Sequence, residues 1–136
     1  MNREVVFVNQ AITKQLRQDA MQIALMAIGE SKPGSAVKKA IDNMRLCGDV
    51  YLVSVGKAAW QMANTAVQTL KHPIKQGIVL TKYGHIEGDI PGVICMEAGH
   101  PVPDENSVLG TQKILEMTQN LKSSDTVLFL LSGGGS

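Results

Sequence analysis

Residues 51–70 read YLVSVGKAAWQMANTAVQTL, and this stretch decides the fold. Its first five residues form an apolar run that is typical of a buried β-strand, and Gly56 follows as a turn. From Ala58 to Leu70, apolar residues recur at four-residue spacing, which predicts a helix, and the small alanines would let that helix lie close to a sheet. A strand that leads directly into a helix is the repeating unit of α/β proteins with a parallel sheet.

The same alternation continues along the chain. A helix is predicted from Glu105 to about Leu121, with Asp104 as its N-cap. Further apolar runs predict three more strands, at residues 77–81, 93–97 and 126–131. These runs do not alternate with polar residues, so we expect both faces of the sheet to be covered. The predicted fold class is therefore α/β: a Rossmann-like three-layer α/β/α arrangement with a mostly parallel sheet, incomplete at the C-terminus.

The first third of the chain is predicted to be helical. Residues 12–28 show the periodicity of a helix whose wide apolar side would be covered over more than half of its circumference. Ser35 is a candidate N-cap for a short second helix that ends at Asn43 or Met44. We therefore expect a helical lead-in at residues 1–45, followed at residues 46–136 by the front part of the Rossmann-like domain.

Composition excludes several classes of protein. The formal net charge is +1, which gives no sign of a nucleic-acid or membrane partner. Two cysteines lie far apart and form no C-x-x-C motif, so we expect a reducing compartment rather than a disulfide scaffold. No signal peptide is recognisable, and no apolar run approaches the ~20 residues of a membrane span. These observations predict a cytoplasmic location.

The loops that follow the four predicted strands all contain glycine, and three contain lysine or histidine. They comprise residues 56–57, 82–85, 98–101 and 132–136. In open α/β sheets, ligands bind beyond the carboxyl ends of the strands. We therefore expect a ligand site where these loops meet.

Two of these loops are suited to anions. Lys57 with Gly56 lies at a strand-to-helix turn, where the lysine adds a full charge to the partial positive charge of the helix end. The last five residues are Ser132, Gly133, Gly134, Gly135 and Ser136. Successive glycines let backbone N–H groups approach a phosphate without Cβ clashes. Because an apolar strand runs straight into them, we interpret them as a native loop rather than a linker, although no Walker A motif is present.

The other two loops offer candidate contacts to a substrate. Prolines on either side of residue 102 stiffen the loop that carries His100 and Glu97. Lys82 and His85 follow the second predicted strand of the sheet and are weaker candidates. The sequence assigns no metal ligands: the possible carboxylates are Glu97, Asp89 and Asp104, the last of which is better explained as a helix cap.

Together these segments resemble the amino-terminal domain of the type II glycerate kinase family, also labelled hydroxypyruvate reductase. The matching segments appear in the family's order at residues 55–63, 81–85, 97–104 and 131–136. The resemblance implies a Rossmann-like domain followed by a smaller carboxy-terminal domain, with the active site in the cleft between them. A second catalytic basic residue, an arginine, would belong to that later part. The chain is thus expected to be the front portion of a longer enzyme.

This resemblance implies phosphorylation of D-glycerate at its 2-hydroxyl by ATP and Mg²⁺. Lys57 would be the catalytic residue, residues 132–136 would contact nucleotide phosphates, and the 136-residue piece alone is expected to be inactive and to self-associate. Two other functions remain open. One is a hydroxy-acid oxidoreductase, although no G-x-G-x-x-G fingerprint is present. The other is a non-catalytic module that binds a sugar phosphate.

Overall fold

The computed structural model describes residues 3–133, with side chains described from residue 11 onwards. The elements are α1 (Arg3–Glu30), α2 (Pro33–Asp42), β1 (Val50–Val55), α3 (Ala59–Thr69), β2 (Ile74–Lys82), β3 (Val93–Ala98), α4 (Glu105–Thr118) and β4 (Thr126–Leu131). The residues form two compact units, one that ends at Lys32 and one that begins at Pro33. The helix α2 therefore belongs to the same unit as the sheet.

In the second unit, the four strands form one sheet in the order β3-β2-β1-β4. Every pairing is parallel: Val55 lies beside Leu80 of β2 and beside Leu131 of β4, and Lys82 lies beside Ala98 of β3. The α/β class and the parallel sheet are therefore confirmed. Parallel strands all point the same way, so the loops after them meet at one edge of the sheet.

Successive residues of a strand point to opposite faces, and the two faces of this sheet carry different helices. On one face, α3 packs through three fully buried alanines, Ala59, Ala63 and Ala66, and α2 packs on α3. On the other face, α4 crosses β2 and β3. Gly110 permits this close approach, because a Cβ there would lie only 2.6 Å from Cδ1 of Leu80.

The helices at the start of the chain differ from the prediction. The first helix is longer than residues 12–28, since no glycine or proline interrupts the preceding sequence. Its apolar side chains are exposed rather than covered: Ile12, Leu16, Met21, Ile23, Leu25, Met26 and Ile28. Ser35 is not an N-cap, because α2 begins at Pro33, a residue suited to the first helical position, and Ser35 lies in its first turn.

In contrast, α4 begins as predicted. The Asp104 side chain accepts from the Ser107 N–H, and the Ser107 hydroxyl accepts from the Asp104 N–H, which completes a capping box. The helix ends at Thr118, before the predicted end at Leu121. Among the described residues, no helix is both long and apolar enough to cross a membrane.

Candidate functional site

The turn after β1 and the loop after β4 are held against each other. The Ser132 hydroxyl accepts a hydrogen bond from the Ala58 N–H at 2.9 Å, and the Ser132 N–H donates to the Val55 carbonyl at 3.0 Å. Gly56 has a φ of 114°, and a Cβ there would lie 2.2 Å from the Ser132 carbonyl oxygen. Only glycine fits this position. The structure thus brings the Lys57 turn directly beside the first residue of the Gly-rich loop.

The N-terminus of α3 is capped by this neighbouring loop rather than by the residue at its own N-cap position. Ala58 occupies the N-cap position and has no side chain that can accept a hydrogen bond. Ser132 supplies the missing acceptor from another strand end. A polar acceptor at the helix N-terminus satisfies one of the backbone donors that the helix itself leaves unpaired. The first turn of α3 and the β4 loop therefore depend on each other for their geometry.

Thr81 supports the same turn from the other side. It is a buried polar residue, 3% exposed, near the end of β2, and its hydroxyl donates to the Gly56 carbonyl at 3.0 Å. Sequence reasoning missed this residue. Its signal was a hydroxyl at the end of an otherwise apolar strand, where a buried polar atom requires a partner.

Glu97 lies at the same sheet edge, but its carboxylate is already hydrogen-bonded within the protein. Its Oε1 atom accepts from the backbone N–H of His85 at 2.9 Å and from that of Ile86 at 3.0 Å. These donors, that of Ile86 foremost, lower the pKa of the carboxyl because they stabilise its charged form. Glu97 was predicted as a substrate contact, but in the structure it holds the loop that follows β2.

The side chain of His85, in that loop, contacts the backbone of Lys57, the predicted catalytic residue. Its Nδ1 atom lies 3.0 Å from the backbone carbonyl oxygen of Lys57. The ring therefore links the loop after β2 to the turn after β1, and the carboxylate of Glu97 ties the same loop to β3. This bridge joins two of the four loops that the sequence predicted to meet.

Asp104 is fully occupied by structural contacts. One carboxylate oxygen accepts from Ser107 in the α4 cap, and the other accepts from the Tyr83 hydroxyl at 2.7 Å. The Tyr83 bond, with help from other donors, lowers the pKa of Asp104 to about 2, and the same bond raises the pKa of Tyr83. The interpretation of Asp104 as a cap is therefore supported over that of a metal ligand.

A cleft of about 200 Å³ lies at the carboxyl ends of β1, β2 and β3. Lys57, Lys82 and His100 line it, together with Gly56 and Thr81. Two lysines and an imidazole in one small cleft favour an anionic ligand. A second cavity of about 390 Å³ lies next to it, is also lined by Lys57 and includes His85. Lys57 thus borders both spaces.

Apart from Glu97, which holds the loop after β2, the predicted site residues lie as follows. Gly56, Lys57, Lys82, His85 and His100 line the two neighbouring cavities, and Ser132 adjoins them through the Ala58 turn. Gly133 is described, with a φ of 108°. Gly134, Gly135 and Ser136 lie outside the described residues. Within the part of the chain that the structure describes, no three acidic, histidine or cysteine side chains form a group that could hold a metal.

Comparison with known proteins places this arrangement in a family. Residues 10–136 match the family model DUF4147, described as a domain of unknown function. A D-glycerate 2-kinase from Thermotoga maritima is 48% identical over 123 residues, which cover 90% of this chain and 29% of that protein. A protein from Agrobacterium vitis with a provisional hydroxypyruvate reductase name is 36% identical and is matched over 27% of its length.

A solved structure agrees with the fold. The crystal structure of a glycerate kinase from Thermotoga maritima superposes on this chain with a TM-score of 0.82. The match covers 90% of this chain and 29% of the crystallised one, at 48% sequence identity. The chain therefore spans less than a third of the length of the relatives that it matches.

Proposed function

Because the chain belongs to the DUF4147 family and resembles glycerate 2-kinases, we propose that it forms part of an ATP-dependent kinase that phosphorylates D-glycerate to 2-phosphoglycerate. The proposal concerns a protein of the relatives' length that carries this sequence. Several relatives are named as glycerate kinases, which supports the reaction class. The choice of ATP, Mg²⁺ and the 2-hydroxyl is part of the proposal.

One observation carries the proposal: the Ala58 N–H donates to the Ser132 hydroxyl, so the Lys57 turn adjoins the loop that begins at Ser132. Phosphoryl transfer needs cations and aimed N–H groups around the moving phosphoryl group, and little else from the protein. A lysine beside a Gly-rich loop supplies both kinds of group. Lys57 is assigned the stabilisation of the transferred phosphoryl group, and residues 132–136 are assigned the nucleotide phosphates.

The carboxylate of the acceptor is assigned to the cleft lined by Lys82 and His100, and its hydroxyl to the adjoining cavity that Lys57 and His85 line. A three-carbon hydroxy acid carries one carboxylate, and Lys82 and His100 can donate hydrogen bonds to it. The volume of about 200 Å³ suits a small substrate better than a large one. Mg²⁺ is expected to arrive with the nucleotide, because this ion is usually held by substrate phosphates, waters and one or two carboxylates rather than by an all-protein cage.

The test is an assay of the longer protein with ATP, Mg²⁺ and D-glycerate, followed by NMR identification of the phosphoglycerate isomer. Lys57→Ala should lower kcat by at least about a hundredfold, the scale found when one electrostatic stabiliser is removed. Lys75→Ala is a matched control, since Lys75 lies at the start of β2, away from the loops described above, and pairs with Asp49.

Two results would reject the kinase assignment. Oxidation of NADH with hydroxypyruvate in the absence of ATP would favour the reductase that some relatives' names suggest. Tight binding of a sugar phosphate without affinity for ATP would favour a non-catalytic binding module. Full activity of Lys57→Ala would leave the reaction class open but remove Lys57 from the mechanism.

A further inference from the structure

The ring of His85 is held in one tautomer. Its Nδ1 atom lies 3.0 Å from the Lys57 carbonyl oxygen, and a carbonyl oxygen can only accept a hydrogen bond. The Nδ1 atom must therefore carry the proton and donate it. A neutral imidazole has a single N–H, so the Nε2 atom is left with a lone pair and can accept a proton.

The backbone that carries His85 is fixed on the other side. Glu97 accepts from the N–H groups of His85 and Ile86, and the His85 N–H also lies 3.2 Å from the Lys82 carbonyl. The side chain is thus anchored to the turn after β1, and its backbone to β2 and β3. Two-sided anchoring of this kind is what keeps a proton acceptor in a constant position.

His85 also borders the same cavity as Lys57. The cavity of about 390 Å³ is lined by both residues and by the carboxylate-bearing Glu87. The charged side chains that line this cavity with His85 are Lys57 and Glu87, and the Glu97 carboxylate accepts from the His85 backbone N–H. His85 and Lys57 therefore line one space, where a base for the acceptor hydroxyl and a cation for the phosphoryl group could act together.

We propose that His85 is the general base of this site, through its Nε2 atom. This inference rests on the proposed kinase function. As the acceptor hydroxyl oxygen forms its bond to the γ-phosphorus, its proton passes to Nε2. The bond between the γ-phosphorus and the bridging oxygen breaks, and ADP leaves with that electron pair. The imidazolium keeps its Nδ1–H bond to the Lys57 carbonyl and later returns the proton to solvent.

Two substitutions separate this role from a merely structural one. In His85→Asn, the side-chain amide nitrogen is the same number of bonds from Cα as Nδ1, so the donor to the Lys57 carbonyl can be retained while the base is removed. In His85→Ala, both are lost. If His85 is the base, each variant should lower kcat by about 10²–10⁴-fold, and His85→Asn should leave the KM for the hydroxy acid nearly unchanged.

The pH profile provides a second readout. Protonation of the wild-type imidazole at low pH removes its lone pair and should lower kcat, whereas an amide at position 85 does not titrate, so the acidic limb should disappear in His85→Asn. A variant with normal kcat, or with low kcat and an unchanged acidic limb, would overturn the assignment. A low kcat in His85→Ala alone would also overturn it, because that pattern indicates a positioning role.

The assay of the wild-type protein distinguishes a failure of the proposed kinase function from a failure of the His85 assignment. If the longer protein phosphorylates no hydroxy acid, the proposed function fails before any variant is made. If it does and His85→Asn is unimpaired, only the base assignment fails. Independently, nitrogen-15 NMR of this chain should show the Nδ1–H tautomer at His85, and a protonated Nε2 in the neutral ring would contradict the geometry.

Discussion

Gly56 offers the sharpest test of how the site is built. A Cβ at this residue would lie 2.2 Å from the carbonyl oxygen and 2.4 Å from the hydroxyl of Ser132, and its φ of 114° is one that residues with side chains rarely adopt. Gly56→Ala should therefore force the two loops apart. The change should also break the hydrogen bond from the Ala58 N–H to Ser132.

The expected cost has two parts. The unusual backbone conformation contributes about 1–3 kcal/mol, and overpacking against Ser132 contributes a further ~1–3 kcal/mol. The sum, about 2–6 kcal/mol, is a large fraction of the 5–15 kcal/mol by which a typical domain is stable. Gly88→Ala is the matched control: Gly88 also has a positive φ, of 144°, but a Cβ there would meet no atom within 4 Å.

The assay is urea unfolding of the 136-residue chain, followed by circular dichroism. Gly56→Ala should lose at least about 1 kcal/mol more than Gly88→Ala, since only the first adds a clash to the backbone strain. The same variant in the longer protein should lose kinase activity, because the loop that begins at Ser132 moves away from Lys57. Equal losses of stability in the two variants would refute the close packing of Gly56 on Ser132.

Three further predictions follow from the described contacts. The pKa of Asp104 is lowered to about 2 by Tyr83 and the α4 cap, so its contribution to the free energy of unfolding should be complete above pH 4 and be lost as the pH falls towards 2. In this pH window, the urea midpoint of Asp104→Asn should therefore depend less on pH than that of the wild type. Glu97→Ala should speed amide hydrogen exchange in the loop after β2, whereas Glu97→Gln, which keeps an acceptor, should change it less; equal rates in both would contradict the clamp. The chain is expected to self-associate through the exposed apolar face of β4, where Phe129 is 57% exposed, and Phe129→Glu should shift sedimentation towards the monomer; a monomeric wild type at micromolar concentration would reject this.

The strands were predictable because each carries a continuous apolar run, but the expectation that both faces of the whole sheet are covered was wrong at β4, where Val127, Phe129 and Leu131 are exposed. The run at 126–131 matches β4 residue for residue, and that at 93–97 falls one residue short of β3. The start of β2 was missed because Lys75 and Gln76 lack the apolar signal. Gln76 pairs with Tyr51 of β1, and Lys75 lies at the register shift between the paired residues Ile74 and Gln76. An apolar run identifies a strand whether or not both of its faces are buried, and it does not detect strand residues that are polar.

The site was predictable only at the level of its loops. Parallel strands deliver their carboxyl ends to one edge, so the meeting of Gly56, Lys57 and Ser132 followed from topology. The direction in which each side chain points did not follow from topology. Glu97 accepts from the loop after β2 because β2 and β3 lie side by side, and nothing local in the sequence signals that partner. Thr81 did carry a local signal, a hydroxyl at the end of an apolar strand, but its partner, the Gly56 carbonyl, follows only from the fold.

The most direct test of the central claim is a comparison of wild type and Lys57→Ala in the longer protein, in which ADP and phosphoglycerate are measured with ATP, Mg²⁺ and D-glycerate. The wild type should form 2-phosphoglycerate, and the variant should remain folded with kcat at least about a hundredfold lower. Wild-type turnover that requires NADH and not ATP, or a variant that phosphorylates D-glycerate as fast as the wild type, would contradict a phosphate site built on Lys57 and the loop that begins at Ser132.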